Sequence, residues 1–253
     1  MIIIYLLLAL VATIIGGMTG IGGGVIIKPV LDTFSVYDIS SINILSSVTI
    51  FAMAIVSFIK GMTSGFKYTK KLIIIAIGAI IGGIIGKELL FLVTASMQHN
   101  NIIIMQSSIL AFLLVFVLLK SKLKSYYVNN IVGIILLGVF LGTTSSFLGI
   151  GGGPINVLIL HLFLEMDTKQ LTIGSIFIIL FSQLAKLSSI ALSTGFGAFN
   201  LEMLVYMVPG GIIGGLIGSY LLKKVHSENI LKIFNTIIVL IILINIYNII
   251  KVV

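Results

Sequence analysis

The hexapeptide Gly20-Ile21-Gly22-Gly23-Gly24-Val25 recurs as Gly149-Ile150-Gly151-Gly152-Gly153-Pro154, each copy closing a long apolar run. Glycine lets a backbone leave a helix and lie close against a ligand. A helix that restarts after such a break presents free N–H groups and a partial positive charge, which together favour an anion. Gly22, Gly23 and Gly24, with Gly151, Gly152 and Gly153, are therefore the first candidates for a binding site. Pro154 is favoured at the first position of a new helix, where its missing N–H removes no hydrogen bond. A dinucleotide fingerprint would need Gly in place of Val25 and Pro154, and a Walker A loop would need Gly-Lys-Ser/Thr after its spacer, so neither applies. Close packing of helices through small residues is the competing structural account of the two clusters.

The polar residues beside the clusters extend the candidate site. Lys28 lies four residues past Gly24, and an ionisable residue inside an apolar segment is a functional candidate, with snorkelling to the interface as its structural alternative. Asn156 follows Pro154 and offers an amide to a ligand or to a neighbouring helix. Asn43, Ser46 and Ser47 sit early in one apolar run, and Ser175 sits in the related run of the second half. Such amides and hydroxyls can replace water around an anion or satisfy broken backbone. Lys186, with Gln183, lies nearer the outer end of its run, where snorkelling explains it at least as well as a place on a pathway. His161 is expected in the core or at an interface, and Lys87-Glu88 and Glu165-Met166-Asp167 at solvated span ends. No Asp or Glu is expected deep in a span.

The elements that must position these residues are membrane spans. Of 253 residues, 59% are hydrophobic and 9% charged, and the mean hydropathy is +1.29, values foreign to a soluble domain. Met1 is followed by Ile2-Ile3-Ile4 without a basic leader or cleavage site, so the first run is expected to be a retained span. Apolar runs place main spans over Ile2–Thr19, Ser41–Ile59, Leu72–Thr94, Ile102–Leu119, Val128–Leu148, Leu171–Ser193, Leu201–Leu222 and Ile230–Ile250. Two short pieces, Val25–Phe34 and Pro154–Leu164, reach only about half of a bilayer core of ~30 Å. They are half-helices or arms of re-entrant hairpins.

The glycine clusters align at an offset of 129 residues, and Gly78 to Gly86 align with Gly210 to Gly218 at 132. Matches in the same order indicate duplication, here residues 1–124 and 125–253. Gly82, Gly83 and Gly86, with Gly214, Gly215 and Gly218, have the spacing of helix-contact surfaces. Equivalent loops carry opposite lysine content: Lys67, Lys70 and Lys71 have no counterpart in Gly195–Leu201, whereas Met97–Asn101 lacks the lysines of its partner region, Lys223, Lys224 and Lys232. Under the positive-inside rule those loops lie on opposite faces, so the second repeat is inverted and both termini are non-cytoplasmic. The expected fold is an all-α polytopic membrane protein, each half holding four main spans plus a glycine-broken half-helix or hairpin.

An apolar span closed by Gly-Ile-Gly-Gly-Gly in each half, four plus four main spans and this total length resemble the TauE/SafE sulfite exporter family over nearly the whole chain. The resemblance implies a transporter of sulfite, related sulfur oxyanions, sulfonates or similar organic anions, with the substrate held by the two clusters and their polar neighbours. The chain contains no Arg, so a bidentate guanidinium clamp is absent and N–H groups, hydroxyls, amides and Lys28 remain. The reading is of a secondary transporter in the cell membrane, not an enzyme, with a small anion and the lipid bilayer as partners. It includes no cofactor, no metal and no nucleic acid, and is compatible with a homodimer. An anion channel on the same scaffold is the alternative. An intramembrane lipid-phosphate hydrolase is the enzyme alternative, and the absence of Arg and of embedded carboxylates speaks against it.

Overall fold

The computed structural model describes residues 2–34, 37–63, 65–66, 68–119, 126, 128, 130–164 and 166–252. Among the described residues ten helices follow one another: α1 (Ile2–Thr19), α2 (Gly24–Phe34), α3 (Ile39–Met62), α4 (Lys70–Ser96), α5 (His99–Leu118), α6 (Ile131–Leu148), α7 (Gly153–Leu164), α8 (Thr168–Leu192), α9 (Leu204–Lys224) and α10 (Ser227–Val252). All except α2 and α7 are long and apolar enough to cross a membrane. The expected runs and the helices agree to within a few residues. The proposed boundary at residues 124 and 125, and Lys67, Lys120, Lys122, Lys124 and Glu165, lie outside the described residues.

Polar caps set several helix starts. Asp38 accepts from the Ser41 N–H ahead of α3, and Asp167 accepts from the Lys169 and Gln170 N–H groups in a capping box ahead of α8. Asp167 is exposed, as expected, and its work is local.

The short helices fold back. Ile27 and Leu31 of α2 pack in one cluster with Ala12, Ala9 and Tyr5 of α1, so α2 retraces α1. Just after α2, the Tyr37 ring meets the Tyr5 ring edge-on at 6.2 Å. The second half does the same: the Tyr126 N–H, ahead of α6, donates to the Leu162 carbonyl near the end of α7 at 2.9 Å. Each broken pair is therefore a hairpin that returns the chain to the end it came from. At the other terminus Lys251 Nζ donates to the Thr33 carbonyl at 2.7 Å, and Asn248 bonds Thr33 and Pro29, bringing the end of α10 beside the end of α2.

The contacts survive exchange of the halves. α1 packs on α9 as α6 packs on α4; α3 meets α9 as α8 meets α4; α2 touches α10 as α7 touches α5. α3 and α8 touch each other, as do α5 and α10. Glycines make this closeness available on two faces of one helix. Gly78, Gly82 and Gly86 of α4 abut α6 backbone, whereas Gly83 abuts Ser182 of α8. Gly210, Gly214 and Gly218 of α9 abut α1, whereas Gly211 and Gly215 abut Thr49 and Met53 of α3. A β-carbon at Gly86 would come within 2.8 Å of Ser146 Cβ, so these are packing surfaces, as the spacing implied.

One expectation fails here. Lys87 is not solvated; it is 2% exposed, donating to Glu88 (2.7 Å) and Ser193 (2.9 Å) with its ammonium over the Phe91 ring. The cation sits between α4 and the end of α8, covered by their packing, while its partner Glu88 is 57% exposed.

The hairpins make a labelling prediction for this cysteine-free chain. In sealed vesicles, single cysteines at Glu202 and Lys251 should react with a membrane-impermeant reagent from one side, and those at Tyr126 and Glu228 from the other. Labelling of Tyr126→Cys and Lys251→Cys from the same side would contradict the hairpin fold.

Candidate functional site

The two glycine clusters pass each other at the centre of the molecule. A β-carbon on Gly153 would overlap the Ile21 carbonyl oxygen, and one on Gly24 would come within 2.8 Å of the Ile150 carbonyl oxygen. Gly22 abuts Ile179 and Gly151 abuts Ile50. Ile50 and Ile179 stand near the middle of α3 and α8, so the crossing lies at mid-span. Gly22 (φ 70°) and Gly151 (φ 76°), equivalent at the 129-residue offset, take the left-handed conformation that turns each hairpin. Gly23 does not; its constraint is space, since a β-carbon there would lie 2.8 Å from Thr13 Cγ2.

Both returning helices begin at this crossing. Ile27 N–H donates to the Gly23 carbonyl and Asn156 N–H to the Gly152 carbonyl, each at 2.9 Å, so Gly24 and Gly153 are the first helical residues. Pro154 is the second rather than the first, still in the turn where an N–H has no helical partner. Two helix N-termini and the C-termini of α1 and α6 thus converge in protein interior.

Polar side chains serve this broken backbone. Ser175 Oγ donates to the Gly20 carbonyl (2.6 Å) and the Gly153 carbonyl (3.2 Å), tying the two clusters together. Asn156 Nδ2 donates to the Ser175 carbonyl at 3.4 Å, while its Oδ1 has no hydrogen-bond partner. Ser46, the repeat counterpart of Ser175, is fully buried and its hydroxyl is unpaired. At the end of α6, Gln106 Nε2 donates to the Phe147 carbonyl at 2.8 Å, an acceptor left over by the helix.

Lys186 corrects the sequence reading most. It does not snorkel: it is fully buried, and its Nζ donates to Asn43 Oδ1, to Ser47 Oγ at 2.7 Å and to the Ser146 carbonyl at 3.2 Å. Two predicted site residues on α3 are thereby joined to α8 and to the C-terminus of α6. Gln183, one turn earlier, donates to Ser145 Oγ at 2.9 Å. Nothing in the local sequence signals this meeting, because Asn43 lies 143 residues away in the chain.

Lys28 has a different environment from the one expected. Its Nζ pairs with Asp32 Oδ2 at 2.6 Å, and both side chains are 3% exposed. Asp32 stands near the end of α2, yet it is buried, so a carboxylate does lie beside the candidate lysine. The i,i+4 spacing that joins them was visible in the sequence. The pair borders a cavity of about 10 Å³ with Gln106, Ser107 and Asn245, roughly the room for one water, and Asp32 Oδ1 and Gln106 Oε1 have no partner in the structure.

Larger cavities open at the two ends. One of about 360 Å³ is lined by Ser57, Lys60, Lys169, Ile173, Ile176, Ser219 and Lys223, at the ends of α3 and α9 and the start of α8. Another, of about 410 Å³, lies at the opposite end near Asp38, Ile39, Phe91, His99 and Phe199. Between the first cavity and the glycine crossing, Ile50, Ile176 and Ile179 form one apolar cluster. Among the described residues, no group of three His, Asp or Glu side chains could hold a metal ion.

A family model for sulfite exporter TauE/SafE matches residues 5–246. The chain is also similar to the probable membrane transporter protein YunE of Bacillus subtilis (strain 168), 24% identical across 94% of this chain and 95% of that protein. No solved structure matches.

The crossing predicts unequal costs for two glycine substitutions. Gly195, left-handed (φ 73°) but with open space around it, should lose about 1–2 kcal/mol on change to Ala. Gly153→Ala drives a methyl into backbone that cannot move aside, and should cost more than that and abolish transport. Thermal unfolding of the purified variants measures the difference; equal shifts would contradict the close crossing.

Proposed function

The chain belongs to the TauE/SafE sulfite exporter family, and on that premise we propose that it carries small anions, sulfite or a related sulfur oxyanion or sulfonate, across the cell membrane by alternating access around the crossed hairpins. The observation that carries this reading is the convergence of two glycine-opened helix N-termini at mid-span. Broken backbone at membrane depth is tolerated only where protein or a water-filled cavity satisfies it, and in transporters paired breaks in two halves mark the substrate site. Helix N-termini favour negative charge. The substrate contacts in this reading are the N–H groups of Gly22–Gly24 and Gly151–Gly153, together with Asn43, Ser46, Ser47, Asn156 and Ser175. Lys28, already paired with Asp32, contributes little net charge.

The halves are related as an inverted repeat in this account. Exchange-symmetric packing and two hairpins that each return to their own side support it. So does the lysine asymmetry, which under the positive-inside rule favours both termini outside and the cavity of Lys60, Lys169 and Lys223 at the cytoplasmic face. A site held between two such halves can be exposed alternately by rocking one against the other.

Uptake into proteoliposomes tests the reading. Labelled sulfite should enter saturably, should be competed by sulfonates, and should move faster when unlabelled anion is present on the far side; sodium and potassium should not move. Anion flux without saturation or counterflow would identify a channel, and cation flux would overturn the site.

A further inference from the structure

Lys186 is the one described buried cation whose bonds all go to neutral partners. Lys28 has Asp32 at 2.6 Å and Lys87 has Glu88 at 2.7 Å, whereas among the described residues no carboxylate lies within 4.0 Å of Lys186 Nζ. A buried ammonium without a counter-ion is costly, and an amide, a hydroxyl and a helix C-terminal carbonyl compensate it only in part. Unpaired polar atoms belong to neighbouring residues: Ser46 Oγ beside Ser47 in sequence, Ser146 Oγ on the residue whose carbonyl accepts from the lysine, and Gln183 Oε1 one turn before it are buried without partners. The site is short of one negative charge and has polar groups to spare.

Its position in the repeat adds a second argument. At the 129-residue offset, Lys186 of α8 corresponds to Ser57 of α3, and its partners Asn43 and Ser146 correspond to Thr172 and Gly17. Ser57 lines the 360 Å³ cavity on the lysine-rich end. On the opposite side of the crossing the equivalent place is filled by the Lys186 side chain and its bonds to α3 and α6. The place that borders an open cavity in one half is thus occupied by a lysine side chain in the other.

Resting on the anion-transport reading, we infer that Lys186 neutralises the carried anion, releasing Asn43 and Ser47 to do so, and that the site takes a singly charged sulfur oxyanion such as a sulfonate or hydrogensulfite. One uncompensated positive charge matches one negative charge. A dianion such as sulfate would bring an excess charge into an interior where its burial is costly. Until the anion arrives, Asn43 and Ser47 occupy its bonds and hold the outer half of α8 against α3. An alternative, purely structural role for Lys186 is to cap the C-terminus of α6.

Equilibrium binding to the purified protein separates these roles, with methanesulfonate as the monoanion, sulfate as the dianion and sulfite as a third probe. Wild type should bind methanesulfonate more tightly than sulfate. Lys186→Gln should weaken methanesulfonate binding tenfold or more, and Lys186→Arg by less, because it keeps the charge. Asn43→Asp is the variant that does not depend on losing the lysine: it sets a carboxylate of the same shape against the ammonium. It strengthens the internal bond, so a structural role would survive, while anion binding should fall at least tenfold. Binding within threefold of wild type in Asn43→Asp, or in folded Lys186→Gln, would overturn the assignment, and tighter binding of sulfate than of methanesulfonate would overturn the monoanion. Wild type that binds none of the three probes would defeat the anion reading itself.

Discussion

Everything in this fold follows from the requirement that two stretches of broken backbone pass within contact distance at mid-span. The bilayer interior supplies no water to satisfy stray N–H and C=O groups. The chain meets that demand by bringing both breaks to the same place and surrounding them with protein. Gly153 gives up its side chain to let the Ile21 carbonyl approach, and Ser175 reaches both clusters with one hydroxyl. α3 and α8, which line the crossing, are the most buried of the long helices, with 61% and 67% of their apolar windows covered; α10, at the periphery, has 28%.

Charge is arranged around the crossing with similar economy. Among the described residues three lysines are buried, and two of these are neutralised by carboxylates close in sequence, Asp32 and Glu88. Lys186 alone is held by neutral groups, and those groups come from α3 and α6 as well as from the end of a helix dipole. A positive interior without Arg suits weak, reversible capture of an anion better than a tight bidentate clamp, because an ammonium is a compact charge with freely rotating donors.

The architecture was legible because hydropathy and glycine report directly on burial and backbone. The first apolar run and α1 share the same ends, Ile2 and Thr19, and the short runs became the returning arms of hairpins. The candidate residues beside the clusters were likewise visible, since the break and its polar neighbours are local. Lys186 was misread because distance along an apolar run measures depth only for an isolated helix. Here α3 and α6 cover the residue, and nothing in Leu171–Ser193 announces Asn43 or Ser47 as partners. Lys87 was misread for the same reason. Asp32 is a different case: its i,i+4 spacing to Lys28 is explicit in the sequence, but its nearness to a span end implies solvent where the structure leaves its side chain 3% exposed.

The most direct measurement is the position of a bound anion. An experimental structure with selenite, a heavier analogue of sulfite whose anomalous signal locates it unambiguously, should show the ion beside Lys186, next to the glycine crossing and the end of α6, with the Asn43 and Ser47 bonds to the ammonium broken. Selenite found only at Lys60, Lys169 and Lys223 at the lysine-rich end, with Lys186 still bonded to Asn43 and Ser47, would contradict the account.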